Sequence, residues 1–159
     1  MDKLWAPWRK AYILKKPSNN CFICDLKKNS RRDQKNLVLK RTPHSLAVLN
    51  LFPYNNGHLL VMPKRHIKDL TFLNDFELLD LFRLLNQMSK LITKSMKPQG
   101  MNIGINLGKA AGAGLPGHVH VHLVPRWAGD SNFMPTIAQT KVISESLESV
   151  YQRFQKNLK

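Results

Sequence analysis

Short apolar runs in the first half of the chain predict β-strands. Leu37 to Lys40, Ser45 to Leu51 and His58 to Met62 are rich in Val and Leu, and turn-forming residues separate them. Runs of this length and composition between turn formers are typical of strands. The longest separator, Phe52 to Gly57, contains Pro, Asn and Gly, which favour tight turns. The first half therefore predicts three strands joined by short connections.

The second half alternates between helical and strand patterns. Apolar residues recur at helical spacing from Asn74 to Met96, and Pro98-Gln99-Gly100 stops that helix. Met101 to Leu107 and Val119 to Val124 have the pattern of two more strands. From Ser144 to Leu158 the helical spacing returns. The chain therefore ends on a second helix.

This order of elements predicts an α+β fold. Short connections between strands favour antiparallel pairing. We expect an antiparallel sheet of about five strands, with one main helix on a face of the sheet and a C-terminal helix. The 159 residues suit a single domain over 1–159. Within it, residues 1–20 read as an irregular N-terminal arm and 140–159 as the C-terminal helical segment.

The positive charge of the chain favours anionic partners but does not indicate which kind. There are 25 Lys and Arg against 10 Asp and Glu, a formal net charge of +15. Such a field attracts polyanions, whether nucleic acid, anionic lipid or a polyphosphate metabolite. The basic residues are scattered, so a Lys-rich surface without a specific partner is an equal alternative. No apolar run is long enough for a membrane span or a secretory signal, so we expect a cytoplasmic protein.

The strand from Val119 carries the most unusual pattern in the sequence, because His118, His120 and His122 alternate with valines. Side chains repeat on one face of a strand every two residues, so the three imidazoles are expected to share a face. A polar outer face of an edge strand and a three-histidine metal site are two possible readings. A tetrahedral site built from three such positions of one strand would be strained.

A phosphate-handling site is the third reading, and it fits the neighbouring residues best. A Gly-rich loop, residues 109–117, leads into the strand, and its backbone N–H groups can form a nest for anions. A neutral imidazole is a good nucleophile at pH 7. Attack on an α-phosphorus would give a nucleotidyl-histidine that a second acceptor resolves. Flanking imidazoles could donate hydrogen bonds to the phosphate oxygens.

At this point the sequence resembles the histidine-triad (HIT) family. The segment from Gly117 to Arg126 looks like its His-x-His-x-His signature, and Leu49 to Pro63 looks like its nucleoside-binding segment. Residues 4–9 and Trp127 to Phe133 are similar to the dinucleoside polyphosphate phosphorylase and hydrolase branch. The resemblance implies a small α+β fold, usually a homodimer with a sheet extended across two subunits.

The resemblance also implies roles for individual residues. His120 would be the nucleophile, His118 and His122 would flank it, and His58 would be a fourth, supporting histidine. The substrate side would include Asn50 at the ribose, Leu51 near the base and Asn106 near the phosphate. Many family members carry a Ser, Thr or Gln just before the triad, whereas this chain has Gly114, Leu115 and Pro116. Backbone N–H groups of that loop would have to contact the phosphate instead, and the segment looks more like the bacterial phosphorylase-like branch than the phosphoramidase branch.

Cys21 and Cys24 add a possible metal site. In a cytosolic chain the C-x-x-C spacing is typical of a metal half-site or a redox pair, and two buried core thiols are the plain alternative. The resemblance to bacterial family members implies a structural zinc held by Cys21, Cys24, His66 and His118. In that case His118 would serve the metal rather than the phosphate.

The predicted function is that of an enzyme acting on the α-phosphate of dinucleoside polyphosphates, such as diadenosine tetraphosphate, or related nucleotides. The acceptor would be water or phosphate, and Lys109 and Arg126 near the site slightly favour phosphate. The alternative is a non-catalytic, zinc-containing module that binds nucleotide or nucleic acid through its charge. It leaves the three histidines without a purpose, so nucleic acid is not the expected partner. A nucleotide sensor that uses the same pocket is a third hypothesis.

Overall fold

A computed structural model of the protein describes residues 21–131 and 141–158. The predicted arm at residues 1–20 and the end of the Trp127–Phe133 motif lie outside the described residues. The described part contains a five-stranded sheet. Its strands are β1 (Val38–Arg41), β2 (Ser45–Leu49), β3 (Leu59–Pro63), β4 (Gly100–Ile105) and β5 (Val121–Arg126).

The sheet has the order β1-β2-β3-β5-β4, and every neighbouring pair is antiparallel. The predicted α+β class with an antiparallel sheet is therefore confirmed. β5 lies between β3 and β4, so the strand that carries the histidines is flanked by two others. Leu60 pairs with His122 on one side of β5, and Gly104 pairs with it on the other.

Several predicted strand boundaries are off by one or two residues, and at two of them the backbone makes other hydrogen bonds. β2 ends at Leu49 rather than Leu51, since the Asn50 N–H donates to the His58 carbonyl and closes the following loop. β5 begins at Val121 rather than Val119, since the Val119 N–H donates to the Ile67 carbonyl outside the sheet. His118 and His120 thus precede the strand, and only His122 lies within it.

The described residues form three α-helices beside the sheet: α1 (Phe22–Lys28), α2 (Asp75–Met96) and α3 (Leu147–Asn157). The main helix α2 begins at a capping box, in which Asn74 and Glu77 satisfy each other's backbone N–H groups. α3 begins after Ser146, whose side chain accepts from the Ser149 N–H, slightly later than predicted. α1 was not predicted, since the sequence suggested an arm followed by an exposed loop.

Alternate residues of the strands pack into two separate cores. On one face Ala47, Leu59, Val61 and Leu123 pack under α2 and α3. On the other face a smaller cluster packs against α1 and Leu115, and it comprises Ile23, Val38, Leu46, Val48, Leu60 and Met62. His122 shares a face with its partner Leu60, on the side of the smaller cluster. The face with the smaller cluster is therefore the one on which a functional site can lie.

Among the residues that the structure describes, no helix is both long enough and apolar enough to cross a membrane.

Candidate active site and metal centre

His58 and His122 form a hydrogen-bonded pair next to the sheet. His58 Nε2 lies 2.9 Å from His122 Nδ1. The Tyr54 backbone N–H donates to His58 Nδ1 at 3.0 Å. A backbone N–H can only donate, so His58 Nδ1 must be the unprotonated nitrogen of the ring. In the neutral ring the proton is then on Nε2, and His58 donates it to His122 Nδ1.

The same reasoning fixes the tautomer of His122. Because its Nδ1 accepts a hydrogen bond, the proton of a neutral His122 ring is on Nε2. That Nε2 is buried and has no hydrogen-bond partner among the described residues. Leaving a buried donor unpaired costs about 1–3 kcal/mol. The N–H is therefore available to an acceptor outside the described residues, and a phosphate oxygen has the required chemistry.

His120 presents the opposite kind of nitrogen beside this donor. Its Nδ1 lies 2.9 Å from the His118 carbonyl oxygen. A carbonyl oxygen only accepts, so Nδ1 carries the proton, and Nε2 of the neutral ring keeps its lone pair. The His120 and His122 ring centroids are 4.9 Å apart. A free nitrogen lone pair and an unpartnered N–H donor are thus held side by side.

The electrostatics of the pair favour neutral rings. Burial, with the proximity of His122 and His120 as further causes, lowers the pKa of His58 to about 3. Burial also lowers the pKa of His122 to about 4, with His120 as the second cause. Both rings are therefore neutral near pH 7. His58, His122 and the adjacent His120 form a histidine chain in which each ring, when neutral, has one nitrogen with a proton and one without.

Acidification is expected to destabilise the fold through His58. Its pKa falls from an ordinary 6.5 to about 3 on folding, so between these values the unfolded chain binds more protons than the folded one. Stability that is fully present above pH 6.5 is lost as the pH falls towards 3. The slope for one histidine is at most about 1.4 kcal/mol per pH unit. Urea unfolding of the protein at pH 7, 6 and 5 measures it.

The matched variants for this prediction are His58→Gln and His44→Gln. We expect the free energy of unfolding to fall less steeply with acid in His58→Gln, because glutamine does not titrate. His44 is exposed and lies outside the histidine chain, so its variant should keep the slope of the unmodified protein. An unchanged slope in His58→Gln would contradict the assigned neutral state.

A second cluster brings together the four predicted metal ligands. The candidate ligand atoms of Cys21, Cys24, His66 and His118 all lie within 4.8 Å of one another. The sulfur–nitrogen distances are 3.2 Å from Cys21 to His118, 3.3 Å from Cys24 to His66 and 3.8 Å from Cys24 to His118. Tetrahedral zinc, with bonds of about 2.3 Å to sulfur and about 2.0 Å to nitrogen, separates such atoms by about 3.6 Å. The donor set and its spacing therefore fit zinc.

The structure directs the ring of His118 into this cluster. His118 is fully buried, and its Nε2 donates to the Pro63 carbonyl at 2.9 Å. Its Nδ1 lone pair consequently faces the two cysteine sulfurs. Of the two roles that the sequence left open for His118, the geometry favours the metal over the phosphate. The backbone carbonyl of the same residue holds the His120 ring, so the two sites share one residue.

Local structure explains how the other three ligands reach the cluster. Cys21 immediately precedes α1 and Cys24 follows three residues later, so the two side chains lie on the same side of the helix. Cys21 packs against the smaller core, which includes Ile23. His66 lies on the turn just after β3. A Cβ on Gly117 would lie 3.8 Å from His66 Nε2, so the end of the Gly-rich loop contacts this ligand.

The predicted substrate residues are only partly brought together. Asn50 reaches the site, with its Nδ2 at 3.2 Å from His58 Nδ1 and its Oδ1 accepting from the Phe52 N–H. Asn106 follows β4 directly, and continuing the pairing of Ile105 with Val121 by one residue sets it opposite His120. Leu51 is 53% exposed.

The loop at Gly114, Leu115 and Pro116 does not hydrogen-bond to any triad ring among the described residues. Leu115 packs against the smaller core instead. The Arg126 guanidinium, which the sequence suggested for the phosphate, donates to Asp130 and Asn102. Its charge is therefore already partnered within the protein.

Sequence reasoning missed the contribution of Tyr54. Its backbone N–H sets the tautomer of His58, and its ring stacks on His122 with centroids 5.5 Å apart and planes 20° apart. An aromatic residue within a turn of Pro, Asn and Gly was the only available signal. A backbone contact of this kind has no signature in the side-chain pattern.

Comparison with known proteins agrees with this geometry. The family model of the HIT domain matches residues 31–129. The chain belongs to the HIT family. A Mycobacterium tuberculosis protein named AP-4-A phosphorylase is 38% identical over 154 residues, covering 92% of this chain and 79% of its own. The asymmetrical bis(5'-nucleosyl)-tetraphosphatase of Schizosaccharomyces pombe is 42% identical over 93 residues, covering 58% and 50%.

A solved structure supports the fold. A zinc-bound histidine triad family protein from Mycobacterium smegmatis superposes with a TM-score of 0.68 and 26% identity, covering 87% of this chain and 93% of its own. The HIT relatives above are named as enzymes. This chain is accordingly a HIT-family enzyme with a four-residue group that can hold a metal ion.

Proposed function

We propose that this HIT protein cleaves dinucleoside polyphosphates at an α-phosphorus through a nucleotidyl group on His120. The observation that carries the proposal is that the unprotonated Nε2 belongs to a His120 ring beside His122, whose buried N–H has no hydrogen-bond partner within residues 21–131 and 141–158. One nitrogen can attack phosphorus, while the other stabilises charge on the phosphate oxygens. Relatives named for diadenosine and bis-nucleosyl tetraphosphate chemistry support this class of substrate.

The first step forms a nitrogen–phosphorus bond and breaks a phosphorus–oxygen bond. The Nε2 lone pair of His120 attacks the α-phosphorus, and the remaining polyphosphate leaves with the electron pair of the broken bond. His120 now carries a positive charge, which the Nδ1–H bond to the His118 carbonyl stabilises. An oxygen of water or phosphate then attacks the same phosphorus, and the nitrogen–phosphorus electron pair returns to Nε2.

The nucleoside end of the substrate would lie against the 50–54 loop. Leu51, Phe52 and Tyr54 are 53%, 46% and 55% exposed, an unusual run of large apolar side chains for a turn. The Asn50 amide lies within hydrogen-bond distance of His58. It would give up this hydrogen bond and bind a ribose hydroxyl instead. Such a loop can bind a base by packing and a ribose by hydrogen bonding.

The metal centre would have a structural role. Zinc held by Cys21, Cys24, His66 and His118 would be a closed four-ligand site, without an open position for substrate. When bound it would fix α1 and the turn after β3 to the segment that precedes β5. His118 would in this way hold the backbone carbonyl on which the His120 ring depends.

A panel of dinucleoside polyphosphates, assayed with and without added phosphate, tests the proposed function. Attack by water on the nucleotidyl-histidine releases a nucleoside monophosphate, whereas attack by phosphate releases a nucleoside diphosphate. Product identity therefore distinguishes a hydrolase from a phosphorylase. No turnover of any member of the panel, under either condition, would contradict the proposal.

We further propose that two copies of the chain pair through β4. This strand lies at the edge of the sheet, and its Ile103 is 50% exposed. Leu78 and Phe82, one turn apart on α2, are 38% and 50% exposed. An exposed strand edge is suited to strand addition by a second copy, and exposed apolar side chains add surface that a partner can bury.

The test of this pairing is the sedimentation of variants. Ile103→Lys is expected to shift the protein from dimer to monomer at micromolar concentration, since it places a charge in the proposed interface. Val142→Lys, which changes a similarly exposed residue outside the sheet, should leave the dimer intact. A monomeric unmodified protein, or a dimeric Ile103→Lys variant, would contradict the arrangement.

A further inference from the structure

Asp130 gathers an unusual number of donors just beyond the end of β5. Its side chain is 6% exposed. Oδ2 accepts from Arg126 Nε at 2.7 Å, from Asn55 Nδ2 at 2.8 Å and from the Trp127 N–H at 3.1 Å. Oδ1 accepts from Arg126 Nη2 at 3.0 Å and lies 3.6 Å from the ammonium of Lys141. A carboxylate so fully engaged is part of a built arrangement rather than a solvated surface charge.

Asn55 connects this carboxylate to the loop of residues 50–58, which precedes β3. It is 6% exposed, and its Nδ2 donates both to Asp130 and to the Pro125 carbonyl, at 2.8 and 3.0 Å. Its own backbone carbonyl accepts from the His58 N–H at 3.2 Å. One buried amide therefore ties the loop that precedes β3 to the end of the strand that carries His122.

Close packing at Gly57 supports the same connection. A Cβ at this residue, which has a φ of +75°, would lie 2.3 Å from Met96 Sδ and 3.2 Å from Pro125 Cγ. The loop thus rests directly on Pro125, the residue whose carbonyl Asn55 binds. The hydrogen bonds from Asn55 and the contact at Gly57 hold one conformation of the loop.

That conformation determines the orientation of the histidine chain. The Tyr54 N–H can reach His58 Nδ1 only when the 50–58 loop has the conformation that Asn55 and Gly57 hold. The tautomer of His58 in turn makes it the donor to His122 Nδ1, which leaves the His122 proton on Nε2. Asp130 therefore affects the orientation of the His122 N–H through Asn55, the 50–58 loop and His58.

We propose that Asp130 is a positioning residue, which through Asn55 clamps the 50–58 loop on β5 and thereby sets the tautomers of His58 and His122 for phosphate binding. This inference rests on the proposed function, because it gives the histidine chain its use. Asp130 does not touch the substrate in this account. Its role is to keep the loop in the single geometry that aims the His122 donor.

The chemistry requires a carboxylate rather than an amide at this position. At least four N–H groups, from three residues, point at the two oxygens of Asp130. An asparagine would turn one oxygen into an NH₂ group that faces donors, whichever way the amide is rotated. Asp130→Asn keeps the shape of the side chain and removes only the acceptor and its charge.

The test combines steady-state kinetics with ¹⁵N NMR of the histidine rings in the full-length protein. Asp130→Asn is expected to lower kcat/KM for diadenosine tetraphosphate by between about 10- and 100-fold, the usual effect of misplacing a catalytic group by about 1 Å. The His58 Nδ1 resonance should move from that of a fixed unprotonated nitrogen towards the average of two tautomers. A role in stability alone would not change this signal.

Asn55→Ala provides a second variant that leaves the Asp130–Arg126 ion pair in place. It should reproduce both the kinetic loss and the NMR change, and the double variant should be no worse than Asp130→Asn alone, since both act through one path. Asp33→Asn is the matched control, because Asp33 makes a similar two-pronged pair with Arg41 on the far edge strand β1. It should leave the His58 signal and kcat/KM unchanged.

Unchanged kinetics and an unchanged His58 signal in Asp130→Asn would overturn the clamp, and so would equal effects of Asp33→Asn. If the unmodified protein cleaves no dinucleoside polyphosphate, the proposed function fails, but the His58 signal still tests the clamp. A tautomer change in Asp130→Asn would then support the clamp in a site whose substrate is different.

Discussion

Replacing His120 with alanine is expected to reduce the turnover of a dinucleoside polyphosphate by roughly 10³-fold or more, the scale seen when a nucleophile is removed. The reason is geometric. Among the nitrogens of the described histidine chain, His120 Nε2 combines an available lone pair with a ring fixed by a backbone carbonyl. Steady-state rates, with concentrations checked by the amount of folded protein, measure the effect.

Two further histidine variants make this result specific. His122→Ala should lose about 10²- to 10³-fold, since it removes a donor to the phosphate oxygens but keeps the nucleophile. His44→Ala changes an exposed histidine outside the chain and should keep the rate of the unmodified protein. A His120→Ala variant that retains most of its activity would refute the nucleophile assignment.

Protein purified without added metal is expected to contain one zinc per chain, and Cys24→Ser is expected to lose it. The four ligand atoms lie within 4.8 Å of one another only in the folded chain, so binding an ion there contributes to folding. We expect the variant to lose more than about 4 kcal/mol of stability, in the upper range for single substitutions. Elemental analysis and urea unfolding measure the two effects.

The metal prediction also has a matched control. Asp25→Asn changes the neighbouring residue of α1, which lies on the exposed side of that helix, and should keep the full zinc content. Chelation of the unmodified protein should reproduce the instability of Cys24→Ser. Metal-free protein with unchanged stability would contradict the structural role of the centre.

The pattern of side chains was sufficient to predict the sheet and the two longer helices. Successive side chains of a strand pack into opposite cores, as Leu59 to Met62 do, so strands buried on both faces appear in the sequence as short apolar runs. α2 has both a helical period and a capping box at Asn74 and Glu77. The seven residues of α1 are too few for a period, and Cys21 gives it no side-chain cap. Its position was therefore not predictable.

The sequence predicted which histidines and cysteines lie together, but not which ring nitrogens carry the protons. The His-x-His-x-His motif and the Cys-x-x-C pair indicate which side chains carry chemistry. Three backbone groups determine which ring nitrogen of each histidine carries no proton: the Tyr54 N–H for His58, the His118 carbonyl for His120 and the Pro63 carbonyl for His118. Backbone groups are present at every residue, so their contacts leave no trace in the sequence. The pairing of Asn55 with Asp130 across 75 residues was missed for a similar reason.

The most direct test of the account is mass spectrometry of the enzyme after a rapid alkaline quench of turnover with a dinucleoside polyphosphate. The account predicts that the peptide containing residues 118–126 gains the mass of one nucleoside monophosphate, that fragmentation places it on His120, and that His120→Ala lacks it. If turnover proceeds while the nucleotide is found on another residue, or on none, attack by His120 is contradicted.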